Sequence, residues 1–249
     1  MNEIIVVNEE NFQKAWAKVV LELKKNNWKA WNVIVRINNP LDIDQSMHKR
    51  MENFAQQRGL VGQNQVAYTI FPYKLYHRQS RDDFYKQYWK YYDAFHLRSY
   101  ANWGDTYFAR MIRYPDNGLE IDQLGTIIDS IKNRKVNNGA SYVMVIPYPQ
   151  KDVRRKMGAP CLNYITVQVE LVNNKRIINL CAVYRNHNFR ERAYGNYYGL
   201  GKLIEYIAIE TRSEVGALTC LSSHAYVDND KIYLEKMAEE FSGEEISIR

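Results

Sequence analysis

PCLNYITVQVELVNNKRIINLCAVYR, residues 160–185, holds two apolar-rich runs around Asn173-Asn174. Ile165, Val167, Val169 and Leu171 take every second place in the first run, the period of a strand with one face buried. Adjacent asparagines tolerate the positive φ of a tight turn, so the stretch reads as a β-hairpin. Just ahead of it stands Cys161, in the chain's only Pro-Cys dipeptide. A cysteine there is either a small core residue, as free cysteines usually are, or a nucleophile presented at a strand end.

Working outward, helical and strand patterns follow one another without a linker. Residues 9–25 set Phe12, Trp16, Val19, Val20 and Leu23 at helical spacing. WNVIVRI (31–37) reads as a strand stopped at Asn38-Asn39-Pro40, and residues 44–59 as a helix capped by Asp44 and ended at Gly59. QVAYTIFPYKLY (65–76) reads as a strand broken at Pro72. Ser80-Arg81-Asp82-Asp83 opens a helix over 80–98 with Phe84, Tyr88, Trp89, Tyr92 and Phe95 in a stripe. Such a stripe is a core face or a base-stacking platform, and its spacing favours the core. A helix over 121–135, a turn at 137–139 and a buried strand over 141–148 precede the hairpin. A helix over 195–212 and a strand over 216–227 follow it. The pattern is that of one α+β domain over residues 1–249, a mixed sheet packed with helices.

The net charge of +6 among 249 residues favours an anionic partner such as a nucleotide, nucleic acid or polyphosphate. Three widely spaced cysteines give neither a disulfide framework nor a metal pair, which points to a reducing compartment. His77, His96, His187 and His224 are scattered, without zinc-like spacing, so no metal is expected. No signal peptide and no run of about 18 apolar residues is present, and a cytoplasmic protein without a membrane span is expected. The phosphate loop GxxxxGK[ST] and the dinucleotide fingerprint GxGxxG are absent from the sequence.

The order of features is more specific than any one of them. Pro160-Cys161-Leu162 leads into the hairpin, followed by Tyr184-Arg185-Asn186-His187-Asn188, then Asn196 at the head of a helix, then Ser223-His224-Ala225-Tyr226. Upstream lie WGDTYFARMIRY (103–114) and GLEIDQLGTIIDSIKN (118–133). Over roughly residues 100–230 this series resembles the thymidylate synthase family, which includes the pyrimidine nucleotide hydroxymethylases. The resemblance implies a thymidylate synthase-like fold that dimerises through a sheet face into a homodimer. It also implies transfer of a one-carbon unit, methyl or hydroxymethyl, to C5 of a pyrimidine nucleoside monophosphate, with 5,10-methylenetetrahydrofolate as donor.

In that chemistry a thiolate adds to C6 and makes C5 nucleophilic. The resemblance makes Cys161 the nucleophile and Arg185 the cation that grips phosphate and lowers the thiol pKa. Asn196 would donate to O4 and accept from N3–H, which favours a uridine-type over a cytidine-type nucleotide. His224 and Tyr226, two apart on a strand, would reach the sugar hydroxyls. Glu52, seven residues before Gly59, would be the general acid/base. Plainer readings stand beside these: a surface ion pair for Arg185, a helix N-cap for Asn196, core for Tyr226 and an exposed helix residue for Glu52.

Several places depart from the family pattern. Leu162 stands for a histidine, Asn188 for an aspartate, Glu191-Arg192 for Leu-Gly, and Leu221-Ser222 for Gly-Asp. Ser141-Tyr142 stands where the family reaches across its dimer with two arginines. Arg154-Arg155 either rebuilds that phosphate grip from another loop or forms a solvated turn. The final SGEEISIR does not resemble the tail that closes over folate. The alternative to an enzyme is therefore an altered family member that binds a nucleotide as a sensor or partner subunit; nucleic-acid binding ranks last.

Overall fold

A computed structural model describes residues 4–96, 105–116, 118–133, 142–155 and 158–243. The chain opens with β1 (Val6–Glu9), α1 (Phe12–Lys25) and β2 (Lys29–Ile37). Asn11 caps α1 by accepting from the Lys14 amide at 2.9 Å, and the predicted apolar stripe is buried. α2 (Gln45–Gln57) starts at Asp44, whose Oδ1 accepts from the amides of Ser46 and Met47 at 2.8 and 3.1 Å. Gly59 beyond it adopts φ +64°, as a helix stop requires.

Residues 65–76, expected as a strand, contain instead α3 (Gln63–Ile70) and a loop. Two tertiary features override the β-rich composition. Val66, Ala67 and Ile70 form a buried helical face against α8, and the Glu52 carboxylate accepts from the Asn64 amide at 2.6 Å, placing negative charge on the helix N-terminus. In α4 (Arg81–His96), Phe84 and Tyr88 are buried and Trp89 and Tyr92 pack against the core, so the described part of the aromatic stripe is a core face. The Phe95 side chain lies outside the described residues.

α5 (Tyr107–Ile112), the small hairpin β3 (Tyr114–Asp116) and β4 (Leu119–Ile121), and α6 (Gln123–Asn133) lead to β5 (Val143–Val145) and α7 (Pro149–Asp152). The turn expected at 137–139 and Ser141 lie outside the described residues. The hairpin that dominates the sequence is β6 (Leu162–Val172) and β7 (Lys175–Tyr184), turning through Asn173 and Asn174 at φ 50° and 61°. β8 (His187–Asn188), α8 (Ala193–Thr211), β9 (Glu214–Tyr226) and α9 (Lys231–Ser242) complete the chain. β1 and α9 had no counterpart in the sequence reading.

The main sheet runs β1-β2-β9-β7-β6-β5, with β8 beside β9. It is mixed: β1 and β2 are parallel, as are β7 and β9, while β2–β9, β7–β6 and β6–β5 are antiparallel. One face is packed with helices; the other carries a row in register across the strands, Ile34, Leu221, Val183, Tyr164 and Val145. Each of these apolar side chains is partly or largely open to solvent.

α8 is buried on nearly every side, the pattern of a helix enclosed by other elements. α3 approaches it at two glycines. A Cβ on Gly195 would stand 2.7 Å from the Gln63 carbonyl oxygen, and one on Gly199 2.7 Å from the Ala67 carbonyl oxygen and 2.9 Å from Ala67 Cα. Gly199→Ala should therefore force the helices apart and lower the unfolding free energy by ~1–3 kcal/mol, read by urea denaturation.

Candidate active site

Cys161 immediately precedes β6, whose first residue, Leu162, is fully buried in the core. The cysteine is held from the neighbouring strand end. The Arg185 amide donates to the Cys161 carbonyl at 2.9 Å, and its guanidinium donates through Nε to Pro160 O at 3.0 Å and through Nη2 to Ala159 O at 3.1 Å. Arg185 is thus a clamp on the loop that presents the thiol. On the far side, Arg110 of α5 makes a buried ion pair with Asp152 of α7 and donates to Ile146 O at 3.1 Å. That pair ties the helix bearing Tyr107 to the loop leading to Cys161; breaking it would leave a buried charge unpaired.

Cys161 lines a cavity of about 500 Å3, a volume in the range of small-ligand sites. Tyr107, Arg192, Glu191, Asn196, Asn188 and Tyr226 share its wall. Arg192, Glu191 and Asn196 arrive with the N-terminus of α8, and Asn188 and Tyr226 with the paired ends of β8 and β9. A larger depression of about 880 Å3 runs along β1 and α1 among mixed Lys and Glu side chains, remote from Cys161.

Burial pushes the Cys161 thiol above its ordinary value, and the guanidiniums of Arg185 and Arg192 pull it down without overcoming burial. Arg185 therefore acts in the expected sense, but the net shift is upward. Burial, with Cys161 beside it, pushes the Tyr107 phenol up to about 12, although its oxygen accepts from the backbone N–H groups of Leu162 and Cys161. Asp105, also on the wall, is opposed by burial but held below the usual carboxylate range by Lys151, Tyr92 and Arg110.

Asn196 is buried in the first turn of α8, whose cap position is Arg192, so the N-cap reading does not apply. Its Nδ2 lies 3.0 Å from His187 Nε2. Asn188 Oδ1 accepts from the amides of Arg190 and Glu191 at 2.8 and 3.2 Å, and its Nδ2 donates to Asp228 at 3.3 Å, so it shapes the turn into α8. Tyr226 reaches the cavity with its hydroxyl among Asn186 and Asn188. His224 stands one step behind the wall, 2.7 Å through Nδ1 from Asn186 Oδ1, its ring stacked on Tyr226 at 5.3 Å.

Besides Arg185 and His224, which stand behind the wall, three more nominated residues lie away from it. Glu52 holds the start of α3, accepting from the Asn64 amide and side chain at 2.6 Å each. Arg154 is exposed after α7, and Arg155 is electrostatically coupled to Asp152. In return the fold supplies Tyr107, Glu191, Arg192 and His187, none of them nominated. Tyr107 lay within the segment that carried the family resemblance, and Arg192 within a departure from it; neither had a signal of its own. Among the described residues no group of three His, Cys, Asp or Glu is placed to hold a metal, and no helix is long and apolar enough to cross a membrane.

No family model matches the chain. Over 126 residues it is 32% identical to a Methanosarcina mazei protein named "Putative thymidylate synthase", covering 50% of this chain and 54% of that protein. A protein of the same name from Methanococcoides burtonii is 27% identical over 123 residues, 47% of this chain and 52% of the relative. Over about half its length, this chain is similar to proteins named "Putative thymidylate synthase". The third, from Methanosarcina acetivorans, is 30% identical over 112 residues, 45% of this chain and 48% of its own. The chain spans about half the length of the curated relatives it matches. The α+β architecture with its mixed sheet agrees with that relationship.

Because two cations oppose burial at one thiol, removing either should be visible in its reactivity. At pH 8, Cys161 should react with iodoacetamide several-fold more slowly than a free thiol, and Arg192→Ala should slow it further, by peptide mass spectrometry.

Proposed function

We propose that this protein transfers a one-carbon unit to C5 of a pyrimidine nucleoside monophosphate through a covalent bond between Cys161 Sγ and C6. One observation carries the reading: the Cys161 thiol and the Asn196 amide line the same cavity. The thiol gives up its proton and adds to C6, and the C5–C6 electron pair moves toward O4, where an Asn196 N–H stabilises the charge. C5 then bonds to the one-carbon unit as that carbon's bond to its carrier breaks. C5 gives its proton to a base, and expulsion of the thiolate restores the ring. The carbon ends as methyl where the donor also supplies a hydride and as hydroxymethyl where it takes up water. Two wall carboxylates, Asp105 paired with Lys151 at 3.3 Å and Glu191 paired with Arg190 at 2.6 Å, are the candidates to take up the C5 proton; Glu52 supports the site through α3. Arg192, with Arg154 and Arg155 as further cations, would receive the phosphate while Arg185 secures the loop. Tyr226, backed by His224 and Asn188, faces the sugar.

Methylenetetrahydrofolate is the donor in this reading. The wall carboxylates Glu191 and Asp105 are the acceptor type that the amino and N–H edge of a pterin needs, and the bound group supplies the one-carbon unit. A second reading, a nucleotide sensor without turnover, is favoured by the raised thiol, which is protonated near neutral pH. The outward sheet face, with Tyr164 and Val145 at 38% and 41% exposure, is the surface of a homodimer in this proposal.

Sedimentation velocity should give a dimer that Leu221→Lys converts to monomer; a monomeric wild type removes the dimer. Incubation with 5-fluoro-deoxyuridine monophosphate, with and without methylenetetrahydrofolate, should add the nucleotide's mass to the Cys161 peptide. Tritium release from C5-labelled nucleotide should vanish in Cys161→Ser. Binding of the nucleotide with neither adduct nor release would establish the sensor instead.

A further inference from the structure

His187 is not among the residues that the proposed chemistry uses, yet it is 1% exposed and bonded on both ring nitrogens. Nδ1 lies 2.8 Å from Ser222 Oγ and Nε2 lies 3.0 Å from Asn196 Nδ2. The ring is stacked on Tyr184 at 4.1 Å and 3°, and Tyr197 meets it edge-on at 5.6 Å and 90°. It cannot turn without breaking both contacts.

We infer that His187 is a positioning residue for base choice: it fixes the Asn196 amide so that the cavity meets an acceptor-donor edge matching uracil and mismatching cytosine. The inference rests on the nucleotide-binding reading of the same cavity. Ser222 Oγ also hydrogen-bonds to the Cys220 sulfur. With the serine hydroxyl hydrogen turned to sulfur, Oγ accepts from His187 Nδ1–H, and a neutral ring then has only a lone pair at Nε2. Burial keeps it neutral, pushing its pKa down to about 3.

A lone pair at Nε2 accepts one Asn196 N–H and repels Oδ1. The amide is thereby left with Oδ1 and its second N–H as a free edge. That edge accepts from N3–H and donates to O4 of uracil. Cytosine, with an unprotonated N3 and an amino group at C4, needs the reverse order, which a flipped amide would supply. The flip would set Oδ1 against the Nε2 lone pair. A plain asparagine is ambivalent between the two bases; the relay from Cys220 through Ser222 and His187 removes the ambivalence.

Two substitutions separate the ring's two nitrogens. In His187→Gln the side-chain amide falls near the Nε2 position and keeps an acceptor for Asn196, whereas in His187→Asn it falls near Nδ1 and serves only Ser222. Calorimetric titration with uridine and cytidine monophosphate should show a uridine preference in wild type and His187→Gln. His187→Asn should reduce that ratio by about tenfold, the worth of one buried hydrogen bond. Equal ratios in all three folded proteins would overturn the inference, as would equal loss in both variants. Should His187→Asn fail to fold, nitrogen-15 NMR of the wild-type ring decides: Nδ1–H supports the relay and Nε2–H overturns it. Wild type binding neither nucleotide would defeat the proposed function, while the ring's tautomer still reports the amide's orientation.

Discussion

Enclosing α8 on nearly every side is the constraint on which the rest of the structure depends. An ordinary surface helix buries one stripe, but this one lies between the sheet and α1, α3 and α6, so each side chain must either pack or find a partner. Its glycines let backbones come close, including the Pro40 carbonyl, which would stand 2.7 Å from a Cβ on Gly201. Two of its polar groups are matched, the Tyr194 hydroxyl accepting from Gln13 at 2.8 Å and Asn196 meeting His187, while the buried hydroxyls of Tyr197 and Tyr206 pack without a hydrogen-bond partner among the described residues. Because the helix has no freedom to slide, its N-terminal turn is held at the sheet end where Cys161 lies. The cavity is a consequence of that fixed meeting.

Electrostatics at the meeting point are a contest that burial wins in the absence of ligand. Two guanidiniums face the thiol, yet it stays above the ordinary value because the surroundings that exclude water penalise the thiolate. Arg185 cannot act as a free cation there, since two of its donors hold the carbonyls of residues 159 and 160. A phosphate competing for Arg185 would loosen the thiol's own loop. Arg192 carries no such duty to that loop, so in the proposed reading dividing loop clamping from anion binding between the two arginines avoids the conflict.

How much of this was legible follows from distance along the chain. The β6–β7 hairpin was plain because alternation and the Asn-Asn turn are local, and α2 was plain because Asp44 and Gly59 mark its ends. The α3 segment was misread because Val, Tyr, Thr, Ile and Phe suggest a strand, and the features that make it a helix, Glu52 at its start and the α8 glycines beneath it, are remote. The same holds at the site. Cys161, Asn196 and Tyr226 could be nominated from order alone. Tyr107 and Arg192 could not, because their nearness to the thiol is set by α5 and α8 meeting the hairpin in space.

The histidines make the point most sharply. Where the family pattern has a histidine after the cysteine, this chain has Leu162, and the structure puts that leucine in the core at 0% exposure. Its loss reads in the sequence as a loss of chemistry. Yet an imidazole still faces the Asn196 amide, delivered from β8 by a residue that looked like one of several scattered histidines. Its tautomer is set by Ser222, which itself stands in a departure from the family pattern. Of the departures along the chain, Ser222 meets His187 in space, while Leu162 packs into the core and Leu221 faces outward from the sheet. In so dry a setting an unpaired member of a polar relay is costly, so the contacts among Ser222, His187 and Asn196 are held together. In the proposed reading, Ser222 and His187 rebuild the edge that faces the base rather than remove it.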